Sequence, residues 1–152
     1  MAKKKTGQRK TILNRRAKYD YELGDSFVAG LALTGAETKS LRMGHGHLQG
    51  AYVAAKDGEL WLINATITGS SGIPIDESDQ TRSRKLLAKR KEIDKLVEAK
   101  KSGMTIVPLA ILNQGRYVKL RISLGRGKKR YDKRQTIKKR EEERKIRATT
   151  KV

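Results

Sequence analysis

The stretch ISLGRGKKRYDKR, residues 122–134, joins an apolar strand to a basic tail, and the rest of the chain is organised about that junction. Val118, Leu120, Ile122 and Leu124 alternate with Lys119, Arg121 and Ser123, the period of a strand with one buried face. Gly125 and Gly127 then release the backbone. From Arg126 to Val152 there are 13 Lys/Arg against 4 Asp/Glu, a charge that repels itself and is satisfied by a polyanion.

Net charge over 152 residues is +20, from 36 Lys/Arg and 16 Asp/Glu. Its distribution is more telling than its size. Residues 1–18 contribute +8, residues 19–125 contribute +3 from 15 Lys/Arg against 12 Asp/Glu, and residues 126–152 contribute +9. A nearly neutral body with two basic arms favours nucleic acid, because clustered lysines sum their fields locally and each neutralised phosphate releases counterions. An anionic membrane would require an amphipathic face on an arm, and neither arm has one. The absence of cysteine excludes disulfides and thiolate metal sites and fits a reducing compartment. No apolar segment follows the lysines of MAKKKTGQRK, and no run approaches ~18 apolar residues. A cytoplasmic protein is expected.

Along the chain, residues 1–11 read as a flexible basic arm. Ile12 and Leu13 are the first apolar residues able to dock. Tyr19, Tyr21 and Leu23 alternate as a strand, Gly24-Asp25 reads as a turn, and Phe27, Ala29, Leu31 and Leu33 form a second strand that halts at Thr34-Gly35. Ala36–Arg42 is either one helical turn or a sheet corner. Gly44–His47 reads as a loop, and Ala51–Ala55 and Leu60–Ile63 flank Asp57-Gly58 as a tight hairpin. Residues 65–68 extend its second arm, and residues 69–80 gather turn formers and acids into an expected mobile loop. Leu86, Leu87, Ile93, Leu96 and Val97 predict one helix over Thr81–Ser102 ended by Gly103. Met104–Leu112 and Arg116–Leu124 are two further strands about a turn at Asn113–Gly115. About six short strands with one long helix point to a small closed antiparallel barrel of the oligonucleotide/oligosaccharide-binding (OB) type, because closure removes unprotected edges.

Catalysis has no positive sign in the sequence. His45 and His47 lie in a Gly-rich loop without further ligands near, which suits a polar turn better than a metal site. Gly125–Lys129 lacks the spacing of a nucleotide-binding loop, and no nucleophile elbow or zinc-protease motif occurs. No cofactor, metal or small-molecule substrate is implied. In the tail, Asp132 with Gln135 suits a capping box, and Lys139–Glu143, Glu141–Lys145 and Glu143–Arg147 are helix-neighbour pairs. Ile137 and Ile146 are nine apart, about half a turn out of phase. Such a helix has no face to bury, so the tail is expected to be disordered alone and helical in an anionic groove. Tyr131, amid Lys and Arg, could stack on a base.

Several motifs together resemble the SmpB family, the small protein B that partners transfer-messenger RNA (tmRNA) in bacteria. They are Asn14–Ala17 with Tyr19; Gly30-Leu-x-Leu33; Gly35-x-Glu37-x-Lys39-Ser-Leu-Arg42; Asp57-Gly-Glu59; Arg82-x-Arg84-Lys-Leu-Leu87 with Glu92-Ile93; Val107-Pro108; and Gly127-Lys-Lys129 with Asp132-Lys-Arg134. The resemblance implies an OB-type barrel over residues 12–125 that binds the tRNA-like domain of tmRNA and accompanies it to ribosomes stalled on messages lacking a usable stop codon. It implies that the tail, residues 126–152, enters the decoding site and the empty mRNA channel, after which the nascent chain is tagged for proteolysis; no catalytic residue is required. Carried over by motif, Asn14, Glu37, Lys39, Arg42, Arg82, Arg84, Lys85 and Leu87 belong to the tmRNA surface, with Lys89 beside them. Gly127, Lys128, Tyr131, Asp132, Lys133 and Arg134 belong to the decoding-site junction, followed along the channel by Lys138, Lys139 and Arg140. Val28, Ala36, Gln80, Lys89 and the loop at Ser70–Ser78 depart from the usual pattern. Two other readings share the charge: a nucleoid-type DNA-binding protein, which would not discriminate RNA from duplex DNA, and an RNA-processing enzyme, which would need a reactive site.

Overall fold

A computed structural model describes residues 11–113, 115–128 and 130–150, without the side chains of 130–132 and 149–150. Of the N-terminal arm, residues 1–10 lie outside the described residues.

Among the described residues nine strands and five helices follow one another: β1 (Ile12–Leu13), α1 (Ala17–Asp20), β2 (Tyr21–Leu31), α2 (Gly35–Arg42), β3 (Gly46–His47), β4 (Tyr52–Lys56), β5 (Glu59–Ile63), β6 (Thr66–Ile67), α3 (Glu77–Gln80), β7 (Arg84–Leu87), α4 (Arg90–Lys101), β8 (Thr105–Leu112), β9 (Lys119–Gly127) and α5 (Arg130–Thr150). Seven strands form an antiparallel sheet in the order β1-β8-β9-β2-β7-β5-β4, and β3 pairs with β6 separately. The sheet is mainly β, as expected, but it is open: β1 and β4 end it and do not pair with each other. Closure into a barrel is therefore corrected. The short β1, two residues long, shields one edge instead of sealing it.

The inner face of the sheet buries Leu60, Leu62, Leu86, Ile106, Ile111, Leu120 and Ile122 against Leu41 of α2 and Ile93 and Leu96 of α4. The hairpin at Asp57-Gly58 forms as its sequence predicts, with φ of 53° and 75° at the two turn residues, the left-handed pair that suits the strand twist.

Several expectations fail for identifiable reasons. Gly24-Asp25 does not turn the chain. It is a bulge within the 11-residue β2, where Leu23 and Ser26 face Gly125 and Ser123 and the Ser123 hydroxyl lies 3.1 Å from the carbonyl oxygens of Gly24 and Asp25. Thr81–Ser102 is not one helix: its first part is β7, inserted between β2 and β5, with Arg84 and Leu86 inward and Lys85 and Leu87 outward. Leu86 and Leu87 lie on opposite faces of the sheet and do not share a helical stripe. Gly44–His47 is not a loop throughout, since Gly46 and His47 pair with Ile67 and Thr66. That pairing also takes residues 65–68 away from the hairpin, helped by Asn64 at φ 62°.

Residues 69–80 are held rather than loose. Ser70 and Ile73 form a bridge, Ile73 is buried, and α3 offers the carbonyls of Asp79 and Gln80 to Arg84. Ala36–Arg42 resolves as a two-turn helix, α2, begun by a capping box in which Thr34 Oγ1 accepts from Glu37 N–H and Thr34 N–H donates to Glu37 Oε1. The tail helix runs over Arg130–Thr150, so its backbone is already helical at Asp132; the expected cap from the Asp132 side chain, like the side chain of Tyr131, lies outside the described residues.

Candidate nucleic-acid interface

The candidate interface surrounds a buried ion cluster. Arg84 points inward from β7 with no exposed surface, and all five guanidinium N–H groups have acceptors: Glu37 Oε2 and the carbonyls of Ala65, Arg82, Asp79 and Gln80. Glu37, 2% exposed, also accepts from Arg82. Burial by itself would raise the Glu37 pKa, but hydrogen bonds from Arg82, Thr34 N–H and Arg84 outweigh it and leave the carboxyl below its ordinary value. Burial pulls the Arg84 guanidinium below its ordinary value while Glu37 pulls it back up. The cluster locks α2, the β7 entry and α3 together, and fixes the parity by which Lys85 and Leu87 face outward.

On that outer side, β7, the start of α4 and the β8–β9 turn enclose an open groove of about 750 Å³. Its apolar surface comes from Val28, Leu87 and Tyr117, which are 45%, 54% and 66% exposed. Lys85, Lys89, Arg90 and Lys119 line the same groove, with Glu59 3.9 Å from Lys85 Nζ. Across the sheet, Gly30 stands between Lys119 and Leu87 in register. Exposed apolar surface among cations matches a nucleic acid, whose bases and phosphates require those two chemistries side by side.

The second cationic surface is α5. At 21 residues it is about 30 Å long. Its root is seated on α1: Lys128 N–H donates to Asp20 O at 2.9 Å, Lys128 Nζ donates to Lys18 O and Thr136 Oγ1, and Lys133 Nζ lies 3.5 Å from Asp20 Oδ1 and 5.5 Å from the centre of the Tyr19 ring. Farther out, Ile137 and Ile146 are 41% and 62% exposed, so among its described side chains the helix buries no apolar face.

A family model described as SmpB protein matches residues 11–152. An SsrA-binding protein of Ligilactobacillus salivarius is 42% identical over 99% of this chain and 98% of its own length, and one of Coxiella burnetii is 46% identical over 93% and 90%. A chain from the solved structure described as "tmRNA-SmpB: a journey to the center of the bacterial ribosome" is 37% identical, with a TM-score of 0.65, over 84% of this chain and 94% of that one. The chain belongs to the SmpB family.

The SmpB motif residues divide into two sets. Lys85, Leu87 and Lys89 meet in the groove, and Lys39 is exposed on α2. Glu37 and Arg84 are buried and bind each other. Arg82 is one-third exposed at the edge of that cluster. Asn14 spends its Nδ2 on Pro108 O and its N–H on Leu109 O, fixing the chain between β1 and α1 against β8. Arg42 donates to three carbonyls of the β8–β9 connection. Gly127 ends β9, while Arg134, Lys138, Lys139 and Arg140 are exposed on α5. The sequence reading missed Tyr117 and Lys119, although both continue the outward parity of Arg121 in β9. Among the described residues no three His, Asp or Glu side chains gather as a metal site, and no helix is long and apolar enough to cross a membrane.

Proposed function

We propose that the groove side of the sheet binds the tRNA-like domain of tmRNA and that the protein accompanies this RNA to stalled ribosomes in the cytoplasm. There α5 enters the decoding site and the empty mRNA channel, so that the nascent chain is tagged and the ribosome released. Residues 1–11 act as an accessory basic arm, 12–125 as the OB-type RNA-binding body and 126–152 as the ribosomal tail. Lys39, Arg82, Lys85, Leu87 and Lys89 carry tmRNA contacts. Lys128, Lys133, Arg134, Lys138, Lys139 and Arg140 meet small-subunit rRNA, with Gly127 as hinge and Tyr131 and Asp132 at the junction. The chain contributes binding and positioning, and the reading assigns it no chemical step.

The observation that carries this reading is the separation of two cationic surfaces, a groove with apolar floor and a helix with none. A groove that offers stacking and phosphate contacts suits a folded RNA. A helix with nine Lys/Arg and four Asp/Glu and no apolar stripe suits a channel walled by phosphate.

Binding to the tRNA-like domain, with tRNA and duplex DNA as competitors at ~0.15 M salt, tests it for the full chain and for residues 1–127, which keep β9 whole. The shortened chain is expected to keep its preference for the tRNA-like domain and to fail in ribosome rescue. Loss of binding with the tail, and no competitor disfavoured, would make the protein a general polycation and refute the reading.

A further inference from the structure

The most exposed large ring of the groove, Tyr117, sits on the β8–β9 connection, and that connection is held from the far end of α2. Arg42 Nη1 donates to Asn113 O at 3.1 Å and Gly115 O at 3.3 Å, and its Nη2 donates to Arg116 O at 2.7 Å. Asn113 Nδ2 in turn donates to Leu41 O at 2.7 Å. Two side chains thus tie the turn to α2. The Arg42 fork is occupied by backbone oxygens, the geometry of a guanidinium that shapes a loop.

What the turn presents is Arg116, with its guanidinium 5.5 Å from the Tyr117 ring centre, and the ring itself. An aromatic on a loose loop must be ordered by its ligand. One on an anchored turn has its orientation set beforehand, which cuts the cost of binding. Beside the ring, Gly30 keeps the groove open: a Cβ there would lie 3.3 Å from Leu87 Cβ. A ring, an apolar floor and lysines on the rim are what an unstacked base and its two phosphates require. A duplex keeps its bases stacked and has nothing to lay against the ring.

We propose that Tyr117 is a base-stacking residue of the RNA interface and that Arg42 is its positioning residue, acting through the β8–β9 turn instead of on phosphate. The proposal rests on the tmRNA-binding reading and assigns Arg42 a different part in it from the one its motif implies.

The test is equilibrium binding of the full chain to the tRNA-like domain over a salt series, for the parent and for Tyr117→Ala, Tyr117→Phe, Arg42→Ala, Arg42→Lys and Arg42→Ala/Tyr117→Ala. Trp61 is the single tryptophan, so a Trp61→Phe/Tyr117→Trp chain reports on position 117 alone. Tyr117→Ala is expected to raise Kd about 5- to 100-fold, and Tyr117→Phe to stay within about twofold because stacking needs the ring and not the hydroxyl. Arg42→Ala and Arg42→Lys should both weaken binding without changing the salt slope. The double variant should be no weaker than Tyr117→Ala within about twofold, since Arg42 works through the ring. RNA should quench the tryptophan at 117.

Tyr117→Ala binding within about twofold of the parent, or an unquenched tryptophan, overturns the stacking assignment. A salt slope lower by about 1 in Arg42→Ala, an Arg42→Lys chain with parental affinity, or losses that multiply in the double variant overturn the positioning assignment. A parent chain that binds duplex DNA as well as the tRNA-like domain refutes the tmRNA-binding reading itself, and is visible before any variant is compared.

Discussion

Replacing Glu37 by Ala strands a fully buried guanidinium. Arg84 keeps four carbonyl acceptors but loses its counter-charge, Arg82 loses its partner, and the capping box of α2 loses both its side-chain acceptor and the carboxylate near the helix N-terminus. Breaking a buried ion pair by removing one partner costs about 3–5 kcal/mol. For a chain of this size that lowers Tm by roughly 6–20 °C, readable by circular dichroism. Glu37→Gln should cost less, because the amide oxygen can still accept from Thr34 N–H. Glu37→Leu with Arg84→Met should cost much less than the sum of the two single changes, since no buried charge is left unpaired. The pH dependence follows from the same cluster. The folded-state pKa of Glu37 lies below the ordinary 4.5, so its contribution is fully present above that value and is lost as pH falls through the folded pKa. Glu37→Gln should flatten the acid limb of the stability profile and leave the neutral region's slope unchanged. A Glu37→Ala chain melting within about 3 °C of the parent, or single costs that add in the double variant, would refute the account of the cluster.

Further outcomes can be checked on the same material. Lys89→Ala should weaken binding to the tRNA-like domain and lower the salt slope by about 1, as one lost phosphate contact requires; an unchanged slope removes Lys89 from the interface. Gly69→Ala should destabilise by about 1–3 kcal/mol, because a Cβ there would lie 2.8 Å from both Ile73 O and Ile75 N; an unchanged melting curve would mean that segment 69–75 adjusts freely. Rescue of ribosomes should slow as mRNA is extended downstream of the stall, because α5 then has no channel to occupy; equal rates with short and long extensions would rule out a tail that gauges channel length.

The groove illustrates where reading the sequence stops. Lys85, Leu87 and Lys89 are visible as a motif, but a helical reading of Leu86 and Leu87 hides that Lys85 and Leu87 share one face of a strand. Parity decides this, and parity depends on Arg84 being drawn inward by acceptors 47 and 19 residues away in sequence, Glu37 and Ala65. Thr34-Gly-Ala-Glu37 was a legible capping box that would have fixed α2, whereas the second anchor on Glu37, from Arg84, has no local signature. Tyr117 read as part of a strand over Arg116–Leu124, but the strand begins at Lys119; its exposure and its fixed turn appear only once Arg42 reaches it across the fold.

The sequence by itself determined the alternation that makes β9, the apolar run of β8, the left-handed hairpin turn at Asp57-Gly58, the two basic arms and the tail without an apolar stripe, because each is set by neighbours within a few residues. The motif order was enough for the family. Only the tertiary structure decided that the sheet stays open, that residues 84–87 are a strand, that Glu37 and Arg84 pair in the interior, and which side chains meet in the groove. Those outcomes are fixed by long-range pairing and by the need to give every buried charge a partner, and neither condition is written in any one stretch of the chain.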